Sequence, residues 1–481
     1  LEIDETNADF EDYEVIVTGT IADVIEGEEY RFYGQLVTHP KYGQQLQVSR
    51  YERSKPTSAG LIKYFSSEHF KGIGRKTAEK IVELYGENTI DQILAEPEKL
   101  TAIRGLSAKN RQLFLDTLRI NYGTEMILAK LAEYGIPNKL AFQIQDTYKE
   151  KTLSIIEENP YQLVEDIQGM GFIIADKIAE NLGIDSHSPQ RFRAGLLYSL
   201  LQQSLETGDT YVEARDLLEA SLNVLEQARQ VELDPAAVAQ ELTGLIAEGK
   251  LQQVGTKIFD NSLYFAEEGI KKSLTRLLEK NNLQTFEREE IEAAITYLEK
   301  ESGIHYDSIQ KEAIIQAINN PLFILTGGPG TGKTTVINGI IAVYALLHKL
   351  NLTKSTGEVP ILLAAPTGRA ARRMNELTGL PSATIHRHLG LTEDQGESYR
   401  EDYLDADFII VDEFSMVDTW LANQLFQNIS SNSQVLIVGD AEQLPSVSPG
   451  QVLADLLKIP ALPSLTLEKI YRQAEDSTIV H

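Results

Sequence analysis

The segment "LTGGPGTGKTT" sets Gly327, Gly332, Lys333 and Thr334 in the spacing G-x-x-x-x-G-K-T. Glycines allow successive backbone N–H groups to turn toward one point, and a helix beginning at Lys333 would add its own free N–H groups. Such a loop cradles phosphate oxygens. Lys333 adds a positive charge at the β- and γ-phosphates, and the Thr334 hydroxyl can ligate Mg²⁺. Gly328, Gly330, Thr331 and Thr335 complete the candidate contacts, and the implied ligand is ATP with Mg²⁺. The flanks agree: apolar "PLFIL" predicts a strand before the loop, and "TVINGIIAVYALL" a helix after it.

A second group follows about 80 residues later in "DFIIVDEFSMVD". Phe408 to Val411 predict a buried parallel strand whose C-terminal end carries Asp412 and Glu413. Asp412 can hold the metal through water, and Glu413 can polarise an attacking water. An acidic pair at a strand end says little alone; the phosphate loop makes it specific. A further strand, "QVLIVGD", leads to Gln443, whose uncharged amide can sense a γ-phosphate. "LLAAPTGRAARRM" reads as strand, turn and helix, with Pro366, Thr367, Gly368 and Arg369 at the helix start. That arrangement suits a sugar-phosphate backbone. Taken alone, Arg369 could equally solvate the helix start.

The elements that must position these groups occupy less than half of 481 residues, and the length suggests roughly three domains. A hydrophobic share of 42% is ordinary for a globular chain. No apolar run approaches the roughly 18 residues of a membrane span. No leader is evident and there are no cysteines, which excludes disulfides and thiolate metal sites and fits a reducing cytoplasm. The formal charge of −27 argues against polyanion binding, but it is uneven. Residues 1–30 hold 11 acids and no Lys or Arg, whereas Lys63, Lys71, Arg75, Lys76 and Lys80 crowd one short segment. Arg369, Arg372, Arg373 and Arg387 form another excess.

From Glu14 to Arg53, three short strand patterns separated by turn signals predict a small OB-like β-barrel, over residues 1–57 and apparently incomplete. It suits docking and nucleic-acid binding equally. "KPTSAG" then breaks the chain, and helical periodicity dominates residues 58–188. Within it "FKGIGRKTAEKI", "IRGLSAKNRQLF", "YGIPNKLAFQI" and "IQGMGFIIADKIA" recur about 30 residues apart as an internal array. The first resembles a helix-hairpin-helix element, in which two glycines shape a turn at a helix start. Gly72, Gly74, Arg75 and Lys76 are its candidate DNA contacts. The last copy has Phe172 and Ile173 where the first has Arg75 and Lys76, and it reads as structural. Residues 189–268 resemble a winged-helix unit, 269–300 read as a helical linker, and 301–481 as one RecA-like motor domain. The expected fold class is therefore multidomain α/β, with a parallel sheet in the motor.

The order "GGPGTGKTT", "APTGRAA", "TIHRHLG", "VDEFSMVD", "GDAEQLPSV", "YRQ" resembles the RecD-like branch of superfamily-one DNA helicases. The hairpin array and "ENPYQLVEDIQGMGFIIADKIAENLGI" are similar to its members with long N-terminal regions. The resemblance implies that Lys333 and Thr334 bind phosphate and metal, Asp412 the metal, that Glu413 is the general base, and that Gln443 couples γ-phosphate to DNA. It further implies that Gln310 reads adenine, where a helix-surface glutamine is the plain alternative. Tyr471 would pack on the base and Arg472 reach the γ-phosphate. Thr384 and His386 join Pro366 to Arg369 on DNA, and Thr392 to Asp405, within an insertion near 390–406, would form a strand-splitting pin. The partners implied are single-stranded DNA and its junctions with duplex, engaged 5′ to 3′ by a cytoplasmic monomer without membrane attachment. A DNA-binding ATPase switch and a superfamily-one RNA helicase are the alternatives. Because no second RecA-like domain follows Ile479, the 481-residue chain alone is expected to show little ATP hydrolysis or unwinding.

Overall fold

The computed structural model describes all residues except 4, 11, 22–23, 25–28, 54–57, 280–282, 353–359, 392–402 and 469–481. It divides into two compact units, residues 1–194 with 225–232, and residues 195–224 with 233–481.

The first unit opens with β1 (Ile16–Thr18), β2 (Tyr30–His39) and β3 (Gly43–Arg53) in the order β1-β3-β2. β2 and β3 form an antiparallel hairpin with an irregularity at Tyr33/Gly34, while β1 runs parallel to β3. Gly34 faces β3 so closely that a Cβ there would lie 2.0 Å from the Gln47 carbonyl oxygen.

All four expected hairpins are present, and they share one backbone solution. Gly72, Gly105, Gly135 and Gly169 have φ of 84°, 91°, 78° and 81°, a region that glycine alone enters cheaply. The next residue, Ile73, Leu106, Ile136 or Met170, is buried in each case. The third position is extended, at φ −87° for Gly74, −67° for Ser107, −60° for Pro137 and −86° for Gly171. The expectation of two required glycines is thereby corrected, since an extended residue needs no glycine. Ser107 is the better choice there, because its hydroxyl accepts the Asn110 N–H at 3.1 Å and caps the helix Ala108–Glu133. The helices Arg75–Tyr85 and Ala108–Glu133 pack through Phe65, Phe70, Ile81 and Phe114.

The last hairpin is anchored by charge. Asp176 on the helix Phe172–Asn181 is 1% exposed and receives Arg191 Nε and Nη2, both at 2.9 Å. Arg229 Nη2 at 3.0 Å and the Tyr161 hydroxyl at 2.6 Å share its Oδ1. The guanidinium groups also donate to the carbonyls of Ser186, Leu225 and Ile184. Burial alone would raise the Asp176 carboxyl, but the Arg191 and Tyr161 hydrogen bonds and the arginine charges outweigh it and hold it below its ordinary value.

In the second unit β4 (Tyr211–Glu213), β5 (Leu251–Val254) and β6 (Lys257–Asp260) form an antiparallel sheet in the order β4-β6-β5, beside the helix Pro235–Ala247. The motor sheet comprises β7 (Leu322–Gly327), β8 (Ile361–Ala365), β9 (Ser382–Thr384), β10 (Phe408–Val411), β11 (Gln434–Gly439) and β12 (Ser464–Leu467). Its order is β12-β7-β11-β10-β8-β9, parallel throughout. β7, β10 and β11 are buried along their full length, as their unbroken apolar runs require.

The expected linker at 269–300 is not a linker. A continuous helix, Asn261–Leu278, crosses the 268/269 division and buries Ile270, Leu274 and Leu277 in the core on one side of the sheet. The helix Arg288–Ser302 buries Ile291, Ala294 and Ile295 on the other. Both carry apolar residues at helical spacing, which a solvated connector would not need.

Replacing Asp176 by alanine strands two buried guanidinium groups, which should cost about 3–5 kcal/mol in chemical denaturation. With the folded carboxyl held low, its contribution is present above the ordinary carboxylate range and is lost as pH falls. The gap between wild type and Asp176→Ala should therefore narrow in acid melts.

Candidate nucleotide site and nucleic-acid edge

Parallel strands end at the same edge, so the sequence motifs meet there. β7 runs into the phosphate loop, in which Gly330 and Gly332 adopt φ of 73° and 86°. The Thr331 hydroxyl donates to the Gly328 carbonyl at 2.7 Å and pins the loop from inside. Lys333 is the first residue of the helix Lys333–Leu347, so its charge and the unpaired N–H groups of Thr334 and Thr335 share one spot. Thr331 is buried, and Lys333, Thr334 and Thr335 are half-buried.

Gln310 is not a surface residue. It is 6% exposed, and its side-chain oxygen accepts the Asp307 N–H at 3.1 Å while Asp307 accepts the Gln310 N–H at 2.8 Å. This reciprocal cap starts the helix Ser308–Asn319. The amide nitrogen of Gln310 then lies against the phosphate loop, 2.8 Å from where a Cβ on Gly332 would stand.

Two strands away, β10 delivers Asp412 and Glu413. Glu413 sits at φ 52°, a left-handed conformation that costs a non-glycine residue about 1 kcal/mol or more. That strain turns the chain sharply at the strand end, and the Glu413 N–H donates to Asp412 Oδ1 at 2.8 Å. Burial raises the Asp412 carboxyl above its ordinary value, with the Glu413 charge adding to it. The Glu413 N–H and the charges of Lys333 and Arg373 pull the other way. Asp412 is therefore a carboxylate short of positive charge, facing the lysine of the phosphate loop.

Mg²⁺ fits this donor set. It needs hard oxygen ligands and keeps several waters beside substrate phosphates, so the Thr334 hydroxyl and Asp412 would suffice from the chain. No cluster of three His, Cys, Asp or Glu that could hold a metal unaided exists among the described residues.

β11, between β7 and β10, ends at Gly439 and passes into Asp440 and the exposed Gln443. At the far side, β8 and β9 run parallel with Ala365 opposite Thr384. Thr367 accepts the Ala370 N–H at 3.2 Å and caps the helix Gly368–Thr378. Thr384 accepts the Arg387 N–H at 3.1 Å and caps Ile385–Leu389. Arg369, Arg372, Arg373, His386 and Arg387 are exposed around these two helix starts, beside half-buried Pro366 and exposed Gly368.

Not every expected residue joins this edge. Gly72, Gly74, Arg75 and Lys76 are exposed on the first hairpin, in the other unit, where Arg75 pairs with Glu79 at 3.3 Å. Tyr471, Arg472 and residues 392–402 of the expected pin lie outside the described residues; at the pin's end, Leu404 is buried and Asp405 exposed. The sequence reading missed Asp440, a buried acid directly after an apolar strand. Its signal was its place two residues before a turn N–H, a common setting for Asp.

A parallel sheet with a phosphate loop and an acidic strand end defines a P-loop domain of the RecA-like type. Family models match three separate stretches of the chain. Residues 1–56 match the OB-fold domain of the ATP-dependent DNA helicase YrrC, 120–211 the helix-hairpin-helix domain of ATP-dependent RecD2 DNA helicases, and 310–449 an AAA domain. The ATP-dependent RecD2 DNA helicase of Deinococcus radiodurans is 26% identical over 490 residues, 98% of this chain and 65% of that protein. The RecD subunit of the RecBCD enzyme of Mycolicibacterium smegmatis is 38% identical over 168 residues, 31% of this chain and 30% of its own. A solved Pif1 helicase from Bacteroides aligns at 24% identity over 36% of this chain and 44% of its own, with a TM-score of 0.25. By its domain matches and its RecD2 and RecD relatives the chain resembles RecD-like superfamily-one helicases, and it spans 65% of the length of the RecD2 protein it matches. No helix among the described residues is long and apolar enough to cross a membrane.

A raised carboxyl at Asp412 means that the nucleotide-free fold loses stability as pH climbs from the ordinary carboxylate range through the raised value. At neutral pH Asp412→Asn should therefore melt higher than wild type. Adding Mg²⁺ and ATP should stabilise wild type by more than the variant, whose nucleotide then rests on the phosphate loop and Lys333 without the second metal ligand. Thermal melts with and without ligand read both effects.

Proposed function

We propose that this chain is the ATP-binding and DNA-engaging part of a helicase that moves 5′ to 3′ on single-stranded DNA and parts duplex at junctions. One observation carries the reading. The phosphate loop, the Asp412–Glu413 pair and two threonine-capped helix starts ringed by arginines all stand at the C-terminal edge of one parallel sheet.

In this reading the N–H groups from Gly328 to Thr335 and the Lys333 ammonium hold the phosphates, and Gln310 reads the adenine beside Gly332. Thr334 and Asp412 hold Mg²⁺, which supplies charge neutralisation on the phosphates when bound. Glu413 takes the proton of the attacking water, and Gln443 hydrogen-bonds the γ-phosphate. Tyr471 and Arg472, outside the described residues, are assigned to the base and the γ-phosphate by the resemblance of their motif alone. Thr367, Arg369, Thr384 and His386 hold the DNA backbone, with Pro366 and Gly368 shaping the first contact. The first hairpin adds a second backbone grip at Gly72, Gly74, Arg75 and Lys76. The polarity and a cytoplasmic role in repair or replication-associated unwinding belong to the same proposal. They draw on the resemblance of the sequence motifs alone.

Strand displacement and DNA-stimulated ATP hydrolysis by the natural protein carrying this chain test the reading. A 5′-tailed duplex should open and a 3′-tailed one should not. Lys333→Ala should lower stimulated turnover on the order of 100-fold, since phosphate positioning supplies most of the catalysis. Equal stimulation by matched RNA overturns DNA as the substrate. Hydrolysis without displacement supports a DNA-bound switch instead.

A further inference from the structure

Asp440 is a buried carboxylate, 6% exposed, that none of the steps above uses. It is the first residue past β11, the strand between the phosphate-loop strand and the acidic-pair strand. Its Oδ1 accepts the Glu442 N–H at 3.0 Å, and its carbonyl oxygen accepts the Gln443 N–H at 3.2 Å. Side chain and backbone together close the turn that carries Gln443. Oδ2 faces the phosphate loop, 3.9 Å from where a Cβ on Gly328 would stand.

The residue before it is wedged just as firmly. A Cβ on Gly439 would come 3.3 Å from the Ser415 nitrogen, 3.4 Å from the Phe414 nitrogen and 2.6 Å from the Leu453 side chain. Gly439 is therefore held against the turn after the acidic pair and the core, and it delivers the Asp440 carboxylate beside the phosphate loop. Beyond it the chain is open: Gln443 is exposed, Leu444 is 87% exposed and Val447 93%. Rigidity ends at Asp440, and the proposed sensor begins three residues later.

We infer that Asp440 is a positioning residue for the γ-phosphate sensor, holding the turn that aims Gln443 and registering it against the phosphate loop. The inference rests on the role proposed above for Gln443. Without the Oδ1 acceptor the Glu442 N–H is freed, the turn loosens and Gln443 samples directions that miss the phosphate. Ground-state nucleotide binding, which depends on Lys333 and the loop N–H groups, is spared.

The experiment is a double-mutant cycle on stimulated ATP hydrolysis in the natural protein, with Asp440→Ala, Asp440→Asn, Gln443→Ala and the double Asp440→Ala/Gln443→Ala. Asp440→Ala should lower kcat on the order of tenfold or more and leave KM for ATP within about threefold. Asp440→Asn keeps an acceptor oxygen and should recover most of the loss. The double variant should be no slower than Gln443→Ala alone, within about twofold, because Asp440 acts through Gln443. Multiplying losses overturn the inference, as does an Asn variant as impaired as Ala, or a raised KM with unchanged kcat. Thermal melts keep folding apart from kinetics, and Asp440→Leu, which fills the same space without an acceptor, enters the cycle if Asp440→Ala unfolds. A wild type lacking stimulated hydrolysis, or indifferent to Lys333→Ala, overturns the functional reading itself. A wild type that hydrolyses ATP while Gln443→Ala is silent removes the sensor and this inference with it.

Discussion

A parallel sheet covered on both faces can present chemistry only at its strand ends, and six strands running one way send every such end to the same edge. The covering is nearly complete here, with β7, β10 and β11 buried throughout and helices packed on either side. Residues 327, 365, 384, 411 and 439, far apart in sequence, therefore end their strands along one line. Small backbone choices then decide what each end offers. Glycine at 330 and 332 turns N–H groups inward, Glu413 accepts a left-handed backbone to stop its strand abruptly, and threonine at 367 and 384 caps a helix. The strain at Glu413 is tolerable because β10 is held rigidly by its neighbours on both sides.

In the hairpin array the constraint is a single dihedral pair rather than a set of residues. A left-handed first residue, a buried second and an extended third recur four times, yet only the first demands glycine. Backbone geometry thus persists while exposed chemistry diverges. The helix after Gly74 opens with exposed Arg75 and Lys76, whereas the one after Gly171 opens with buried Phe172 and exposed Ile173. A shared turn does not imply a shared ligand.

How legible each part was follows from how local its cause is. The phosphate loop, the acidic pair and the two capped helices are read within about a dozen residues, because the strand, the turn and the helix start are neighbours in sequence. The Asp176 cluster was illegible for the opposite reason. Its arginines lie 15 and 53 residues away and look like ordinary surface cations until the fold buries them. Gln310 and Asp440 fall between these cases. Each sits in a recognisable motif, but the contact that makes it matter, to Gly332 or Gly328, crosses from one chain segment to another. Residues 269–300 look like a connector only in isolation, because the surfaces that their apolar residues cover, the two faces of the sheet, come from distant segments.

Net charge was the poorest guide, and the reason is quantitative. At physiological ionic strength fields from exposed charges decay over about 8 Å, so an acid beyond that distance hardly weakens a local cation. At the strand ends near Thr367 and Thr384 the cations are Arg369, Arg372, Arg373 and Arg387, reinforced by helix N–H groups that carry positive dipole ends, with the acids Asp412 and Glu413 at the neighbouring end of β10. A polyanion approaching that edge meets these groups before it meets the average of the chain. For the proposed DNA contact, these local groups rather than the chain's average charge are what a phosphate backbone would respond to.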